Sequence, residues 1–410
     1  MRFTLRVGFA VLFMSSPAAV AGGTKAPLQI IVSTEQQSLV VYDGDTIVAT
    51  SKVSTGKAGH GTPTGIFSIL EKRRKHQSNI YSNAPMPFMQ RLTWSGIALH
   101  GSNHVPDYPA SHGCVRLPSK FAANLFKMTV HGMHVLISDR QVTPAAVSSA
   151  VLFQPKQSRQ HELPPLSDVP LRPSIGQLHN NAVEVAMTVK PPAPAASAEE
   201  QAAIRILITR RGMRETVRDL QVLLNMLGHE AGLADGLSGP ATLAAIRAFQ
   251  TAERLPADGK ITPELIEAVF RKAQREMPPN GVLRVRRQFQ PLFEAGVTID
   301  KPEAALGTHF LQFQNFDAKT GEGKWFGVSL ENELPKATRK RLGITADADP
   351  PASNSLQQSL SRIGIPDDVR KRIAGLLANG SSLSISDTDS GLETGEGTDF
   401  ITITRTVTGG

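Results

Sequence analysis

Between Leu28 and Ile137 the apolar positions come in short, β-branched runs closed by turn residues: Leu28-Gln29-Ile30-Ile31-Val32, Ser38 to Tyr42, Thr46 to Ala49 and Gly65 to Leu70. Short runs of this kind predict strands, and Asp43-Gly44 between two of them predicts a hairpin. Gly61-Thr62-Pro63-Thr64-Gly65 bends the chain before a strand, because proline and glycine fix the backbone there. A strand around Ile97-Ala98-Leu99 carries His100 at its end. Ser119 to Lys127 has the spacing of a short amphipathic helix, and Met133 to Ile137 reads as a closing strand.

The pattern changes twice after that. Residues 140–203 are rich in Pro, Ala, Ser and Gln, which bury too little to offset their ordering entropy and predict a tether. Residues 205–275 have helical periodicity: Val217, Leu220, Leu224 and Leu227 share one face, and Leu243, Ile246 and Phe249 share another. Gly239-Pro240 and Thr262-Pro263 open the second and third helices. In residues 281–410, Thr308 to Phe316 and Lys324 to Leu330 predict two strands, Asp367-Asp368 opens a helix ended by Asn379-Gly380, and Phe400 to Thr404 alternates like a strand. The acidic, glycine-rich stretch Asp387 to Asp399 lacks the ligand spacing of a calcium loop and reads as a solvated connection. The expected fold class is multidomain: a mainly β domain at 27–139, a linker at 140–203, a three-helix domain at 205–275 and a small α+β domain without assigned role at 281–410.

Compartment follows from the first residues and the charge. Arg2 and Arg6, the apolar run Val7 to Met14 and Ala19-Val20-Ala21 have the layout of a secretory signal at 1–21, and no later run is long enough to span a bilayer. The expected location is the periplasm, as a soluble protein. A net charge of +8 favours anionic partners such as the cell wall, and export removes nucleic acid from the field.

The one cysteine sharpens this reading. A single Cys cannot form an internal disulfide, and an unpaired thiol in an oxidising compartment is a liability unless it has a use. Cys114 stands in Ser111-His112-Gly113-Cys114-Val115-Arg116, with His100-Gly101 upstream. A nearby imidazole, His100 or His112, is expected to hold the thiol ionised, and backbone N–H groups to receive an oxyanion, which together suit attack on an amide. Other readings of the same residues stay open. Cys114 can be a small buried hydrophobe. His100, His104, His112 and Cys114 can form a zinc site, though at no known spacing. Arg116 can brace the fold or bind a carboxylate through its fork of donors. Phe88, Met89 and Trp94 line either a substrate groove or the core.

The string Ser111 to Arg116 with His100 and Thr62-Pro63-Thr64-Gly65 resembles the signature of the L,D-transpeptidases, whose YkuD-type catalytic domain modifies peptidoglycan cross-links. The block with Leu220-Gln221, Asp235-Gly236, Gly239-Pro240-Ala241-Thr242, Ala248-Phe249-Gln250 and Asp258-Gly259 resembles the three-helix peptidoglycan-binding domain. The first resemblance implies a catalytic β sandwich in which Cys114 is the nucleophile and His100 the proton acceptor and donor. It further implies that His112 and Gly113 shape the oxyanion site, and that Arg116 and Ser111 contact substrate. No metal and no cofactor are implied. The partner implied is peptidoglycan, with an amine of a neighbouring stem or of an outer-membrane protein as acyl acceptor. An L,D-carboxypeptidase, a non-catalytic wall-binding scaffold and a zinc amidase are the rival readings.

Overall fold

A computed structural model describes residues 27–78, 83–155, 202–317, 320–346, 355–388 and 398–405. The signal at 1–21, most of the linker and much of the acidic stretch lie outside the described residues. Among the described residues no helix is long and apolar enough to cross a membrane.

Three sheets organise the chain. The first places the strands in the order Thr402–Arg405, Thr64–Ser68, His134–Ser138, Gln29–Ser33, Ser38–Asp43 and Thr46–Lys52. Its centre is the parallel pair Gln29–Ser33 and His134–Ser138, with Ile30 opposite Val135 and Val32 opposite Ile137. Ile30, Val32, Phe67, Val135 and Ile137 face a four-stranded sheet and the helix Ser119–Met128, meeting Leu99, Val115, Leu117, Ala122 and Leu125. The alternate residues Ile31, Tyr42, Ile66 and Leu136 meet Phe310, Val328 and Leu330 of a third sheet. Burial on both faces is why these strands read as unbroken apolar runs rather than as an alternation.

The third sheet has eight strands, in the order Ala145–Val147, Glu322–Leu330, Thr308–Asp317, Ser382–Ser386, Ile204–Arg210, Gly281–Arg287, Gln290–Ile299 and Ile363–Gly364. It draws on more of the chain than 281–410. Ala145–Val147, expected in the linker, pairs with Glu322–Leu330, and Leu152 and Phe153 enter the core of its outer face. Ile204–Arg210, at the start of the expected helical block, is a central strand because Ile204, Ile206 and Ile208 alternate into that same core. The helix expected to run to Asn379-Gly380 stops at Ala374, and Ser382–Ser386 then pairs parallel to Ile204–Arg210.

The three helices Met213–Met226, Pro240–Ala252 and Pro263–Lys272 pack around Leu220, Leu224, Ile246, Phe249, Leu265 and Val269. They leave the sheet after Arg210 and re-enter it at Gly281, and these two residues are paired across adjacent strands. The helical unit is therefore an insertion at the end of a hairpin, a position from which a unit can be removed without threading the core.

The chain finally returns to the first sheet. Thr402 pairs with Ile66 and Ile403 with Gly65, while Ile401 fills the core beneath. The approach is close enough that a Cβ on Gly65, at φ +147°, would lie 2.0 Å from the Thr402 carbonyl oxygen. Buried polar groups tie the sheets together: Ser68 Oγ donates to Asp399 at 2.9 Å, Arg205 Nε pairs with Asp399 at 3.1 Å, and His134 Nε2 lies 2.9 Å from Ser382 Oγ.

Candidate active site

The strands Ala98–Ser102 and Val115–Pro118 run parallel in the four-stranded sheet, Leu99 opposite Val115 and His100 opposite Arg116. Leu99, Val115 and Leu117 enter the core between the sheets. By alternation Ala98, His100, Cys114 and Arg116 take the other face, where Cys114 packs with Met86, Met89 and Ala98. His100 and Cys114 are thus on one face of neighbouring strands.

His100 is 8% exposed, and its Nδ1 lies 2.9 Å from the Gly101 carbonyl. A carbonyl only accepts, so Nδ1 carries the proton and Nε2 keeps its lone pair. Burial lowers the His100 pKa to about 4, with the Gly101 bond opposing and the Arg116 charge adding to the fall. The Cys114 thiol donates to the Gly96 carbonyl at 3.5 Å, and burial pushes its pKa up despite the Ala98 backbone and the charges of Arg91 and Arg116. Desolvation outweighs the cationic neighbours. Burial thus works against the ionised sulfur expected from the sequence and favours the neutral forms of thiol and imidazole.

The loop that carries Cys114 is held from both sides. Ser111 Oγ donates to the Cys114 carbonyl at 2.5 Å and accepts the Gly113 N–H at 3.2 Å. Ser111 is 2% exposed, and its hydroxyl is turned into the loop rather than toward the substrate contact expected of it. Thr62 Oγ1 donates to the Gly113 carbonyl at 2.8 Å and accepts the Gly56 N–H at 2.9 Å. Gly113 has φ +107°, and a Cβ there would sit 2.9 Å from Ile97 Cδ1, so its contribution is a backbone shape open to glycine. Ser54 exchanges two backbone hydrogen bonds with Arg116, at 3.1 and 3.0 Å. Gln37 in turn fixes Thr55, accepting its N–H at 2.8 Å and donating to its hydroxyl at 2.7 Å.

Gln37 and Thr55 were legible only as members of short runs, and Gly96 not at all, because their partners lie 18 or more positions away. Thr62 was legible only as part of a turn. His112 is exposed, its ring centroid 4.7 Å from that of His60, and its pKa is lowered by desolvation and then by the charges of Lys57, His60 and Arg116. Among the described residues Arg116 has no ion-pair partner. His104 is exposed, with its N–H on Ser102 Oγ at 3.1 Å. Of the groove candidates, Met89 is fully buried, Phe88 packs against the core and Trp94 is 52% exposed. Among the described residues no three His, Cys, Asp or Glu side chains come together as metal ligands.

His100 belongs to a set of buried rings that control acid stability. Burial also lowers His134 to about 3 and His309 to about 4. Below the ordinary imidazole pKa of about 6.5 the unfolded chain takes up protons at these rings and the folded chain does not. Stability is therefore lost as pH falls from about 6.5 toward the folded-state values, by on the order of 3 kcal/mol per ring. The melting temperature followed by calorimetry from pH 7.5 to 4.5 is expected to drop steadily; a flat profile would contradict the burial of these rings.

The fold and site define a multidomain protein with a mainly β catalytic-type unit and a helical unit. Residues 27–137 match the YkuD family model, the L,D-transpeptidase catalytic domain. Residues 213–269 match the model of a putative peptidoglycan binding domain. Among curated proteins no match is found. Solved structures similar to this chain include an L,D-transpeptidase from Mycobacterium smegmatis (20% identity, 27% of this chain and 58% of that one, TM-score 0.26). Others are L,D-transpeptidases from Xylanimonas cellulosilytica (26%, 28% and 61%, 0.25) and Stackebrandtia nassauensis (27%, 30% and 60%, 0.26). The chain covers about three fifths of the length of these solved chains.

Proposed function

We propose that the chain is an exported L,D-transpeptidase of the periplasm that acts on peptidoglycan stem peptides, with Cys114 as nucleophile and His100 as base. The observation that carries this reading is the common face of His100 and Cys114 with Nδ1 of His100 committed to the Gly101 carbonyl. That bond leaves Nε2 as the proton acceptor, and general base catalysis of this kind contributes about 10²–10⁴-fold.

Because both groups rest neutral, the thiol proton moves to Nε2 as sulfur attacks the carbonyl that precedes the terminal D-alanine. The C–N bond then breaks, His100 returns the proton to the departing amine, and a thioester remains on Cys114. An amine from another stem or from a protein attacks the thioester, giving its proton to Nε2, and the new amide leaves with the thiol restored. The thioester keeps the energy of the cleaved amide, so the exchange needs no nucleotide. Arg116 offers positive charge to substrate carboxylates.

Purified protein incubated with tetrapeptide stems is expected to give cross-linked dimers by mass spectrometry. Tripeptide alone would identify a carboxypeptidase. Imipenem, whose strained lactam stands in for the scissile amide, is expected to add its mass to the peptide containing Cys114, and an unmodified thiol would overturn the reading.

The helical unit supplies wall affinity. Replacing residues 211–280 by a two-residue turn joins positions already paired across the hairpin. The shortened protein is expected to be acylated by imipenem at the normal rate while sedimenting with isolated sacculi at least about tenfold less, since tethering raises local concentration. Unchanged sedimentation would remove the helices from wall binding.

A further inference from the structure

A cavity of about 680 Å³ lies away from Cys114 where the helix Met213–Met226 meets the eight-stranded sheet and the helix Lys336–Leu342. Its lining brings six arginines together with four carboxylates. The carboxylates are already committed. Glu215 accepts the Gly212 N–H at 2.9 Å and pairs with Arg284. Glu294 is shared between Arg284, at 3.3 Å, and Arg218, at 3.0 Å. Asp235 accepts from the Leu237 N–H at 2.8 Å and from Gln221 at 3.1 Å. Asp387 is taken by Arg210 at 2.7 Å and by the Leu306 and Gly307 N–H groups.

The positive charge is not consumed in the same way. Arg214 donates a long 3.5 Å bond to the Asp235 carbonyl and acts on the Asp235 carboxylate from a distance, and among the described residues neither Arg214 nor Arg341 makes an ion pair within contact distance. Both are exposed at the cavity. The stem of Arg214 is also held in place, because it lies against Gly236, where a Cβ would come within 2.6 Å of Arg214 Cγ. A polar cavity with guanidinium forks left over after its internal pairs are made is built for an external anion, and the fork matches a carboxylate bidentately.

We propose that this cavity binds a free carboxylate of a peptidoglycan stem peptide through Arg214 and Arg341, as a docking site separate from the catalytic cysteine. The proposal rests on the wall-acting reading above and deepens it: the helical unit and the sheet hold one part of the polymer together while another part reaches Cys114.

The test uses full-length protein whose Cys114 has been acylated with imipenem, titrated calorimetrically with soluble tetrapeptide stem, with the same stem amidated at its carboxylates, and with inorganic phosphate. The free stem is expected to bind, and amidation to abolish its binding. Arg214→Glu with Arg341→Glu, both exposed positions whose melting temperature is checked first, is expected to weaken the stem by at least about tenfold. Equal binding of amidated and free stems, or an unchanged affinity in the double variant, overturns the site. Tighter binding of phosphate than of stem overturns it too, and assigns the cavity to a phosphate ligand. Absence of an imipenem adduct on the unmodified protein counts against the catalytic reading instead, so the two failures are distinguishable.

Discussion

Replacing Cys114 with alanine is expected to remove dimer formation and the imipenem adduct together, lowering acyl transfer at least about 10³-fold, because Cys114 is the one cysteine of the sequence. The fold is expected to survive. Sγ makes a long contact with the Gly96 carbonyl, is bonded by the Ala98 backbone and packs on Met86, Met89 and Ala98, so the loss is that of a partly buried small side chain. His100→Gln is the companion variant. It keeps a donor for the Gly101 carbonyl but no basic nitrogen, so imipenem acylation is expected to slow by about 10²–10⁴-fold. Iodoacetamide alkylation of Cys114 in the unmodified protein separates thiol access from activation. It is expected to rise with pH through an apparent pKa above the ordinary thiol value, following the upward shift imposed by burial. Full reactivity at neutral pH would instead mean a resting thiolate.

Ending the chain before Thr398 is expected to destabilise the catalytic unit, although the deletion lies more than 280 residues from Cys114 in sequence. Phe400 and Ile401, 4% and 0% exposed, leave the core, which costs about 1.5–3 kcal/mol each. Asp399 is 1% exposed and neutralises Arg205, so its removal leaves a largely buried guanidinium unpaired, at a cost of about 3–5 kcal/mol. The strand Thr64–Ser68 also becomes a sheet edge, losing its ladder to Thr402–Arg405 and the 2.7 Å contact between Thr64 and Thr404 hydroxyls. Against a typical domain stability of about 5–15 kcal/mol the sum is large enough to unfold it. Ile401→Ala is the gentler form, expected to cost about 2–5 kcal/mol and to lower the melting temperature measurably. Thr62, whose hydroxyl anchors the Gly113 carbonyl, stands two residues before that strand. The gentler variant, assayed while folded, is therefore expected also to slow acylation of Cys114. A truncated chain with unchanged melting and acylation would show that the returning strand contributes nothing.

Much of the site was legible from residue types at fixed spacing. A single cysteine directly after a histidine and a glycine, a second histidine at a strand end and a Thr-Pro-Thr-Gly turn carry their chemistry in local sequence. The helices were legible for the same reason: Leu220, Leu224, Ile246 and Phe249 repeat at helical period and pack on one another within about seventy residues. Ile30-Ile31-Val32 announced a strand but not that both of its faces are covered.

Sequence alone therefore singled out the proposed nucleophile Cys114, the proposed base His100 and the three-helix unit, because each depends on neighbours close along the chain. Only the tertiary structure decided that Ile204–Arg210 is a central strand rather than the start of the helical block, that Ala145–Val147 and Phe153 belong to the eight-stranded sheet, and that Thr402–Arg405 closes the catalytic one. Those pairings join residues up to about 340 positions apart, and hydrogen-bond ladders leave no periodic mark that says which strand is the partner. The same holds for protonation. Desolvation of Cys114 and His100 depends on what packs over them, and it works against the expected ion pair, favouring a neutral thiol and a neutral ring.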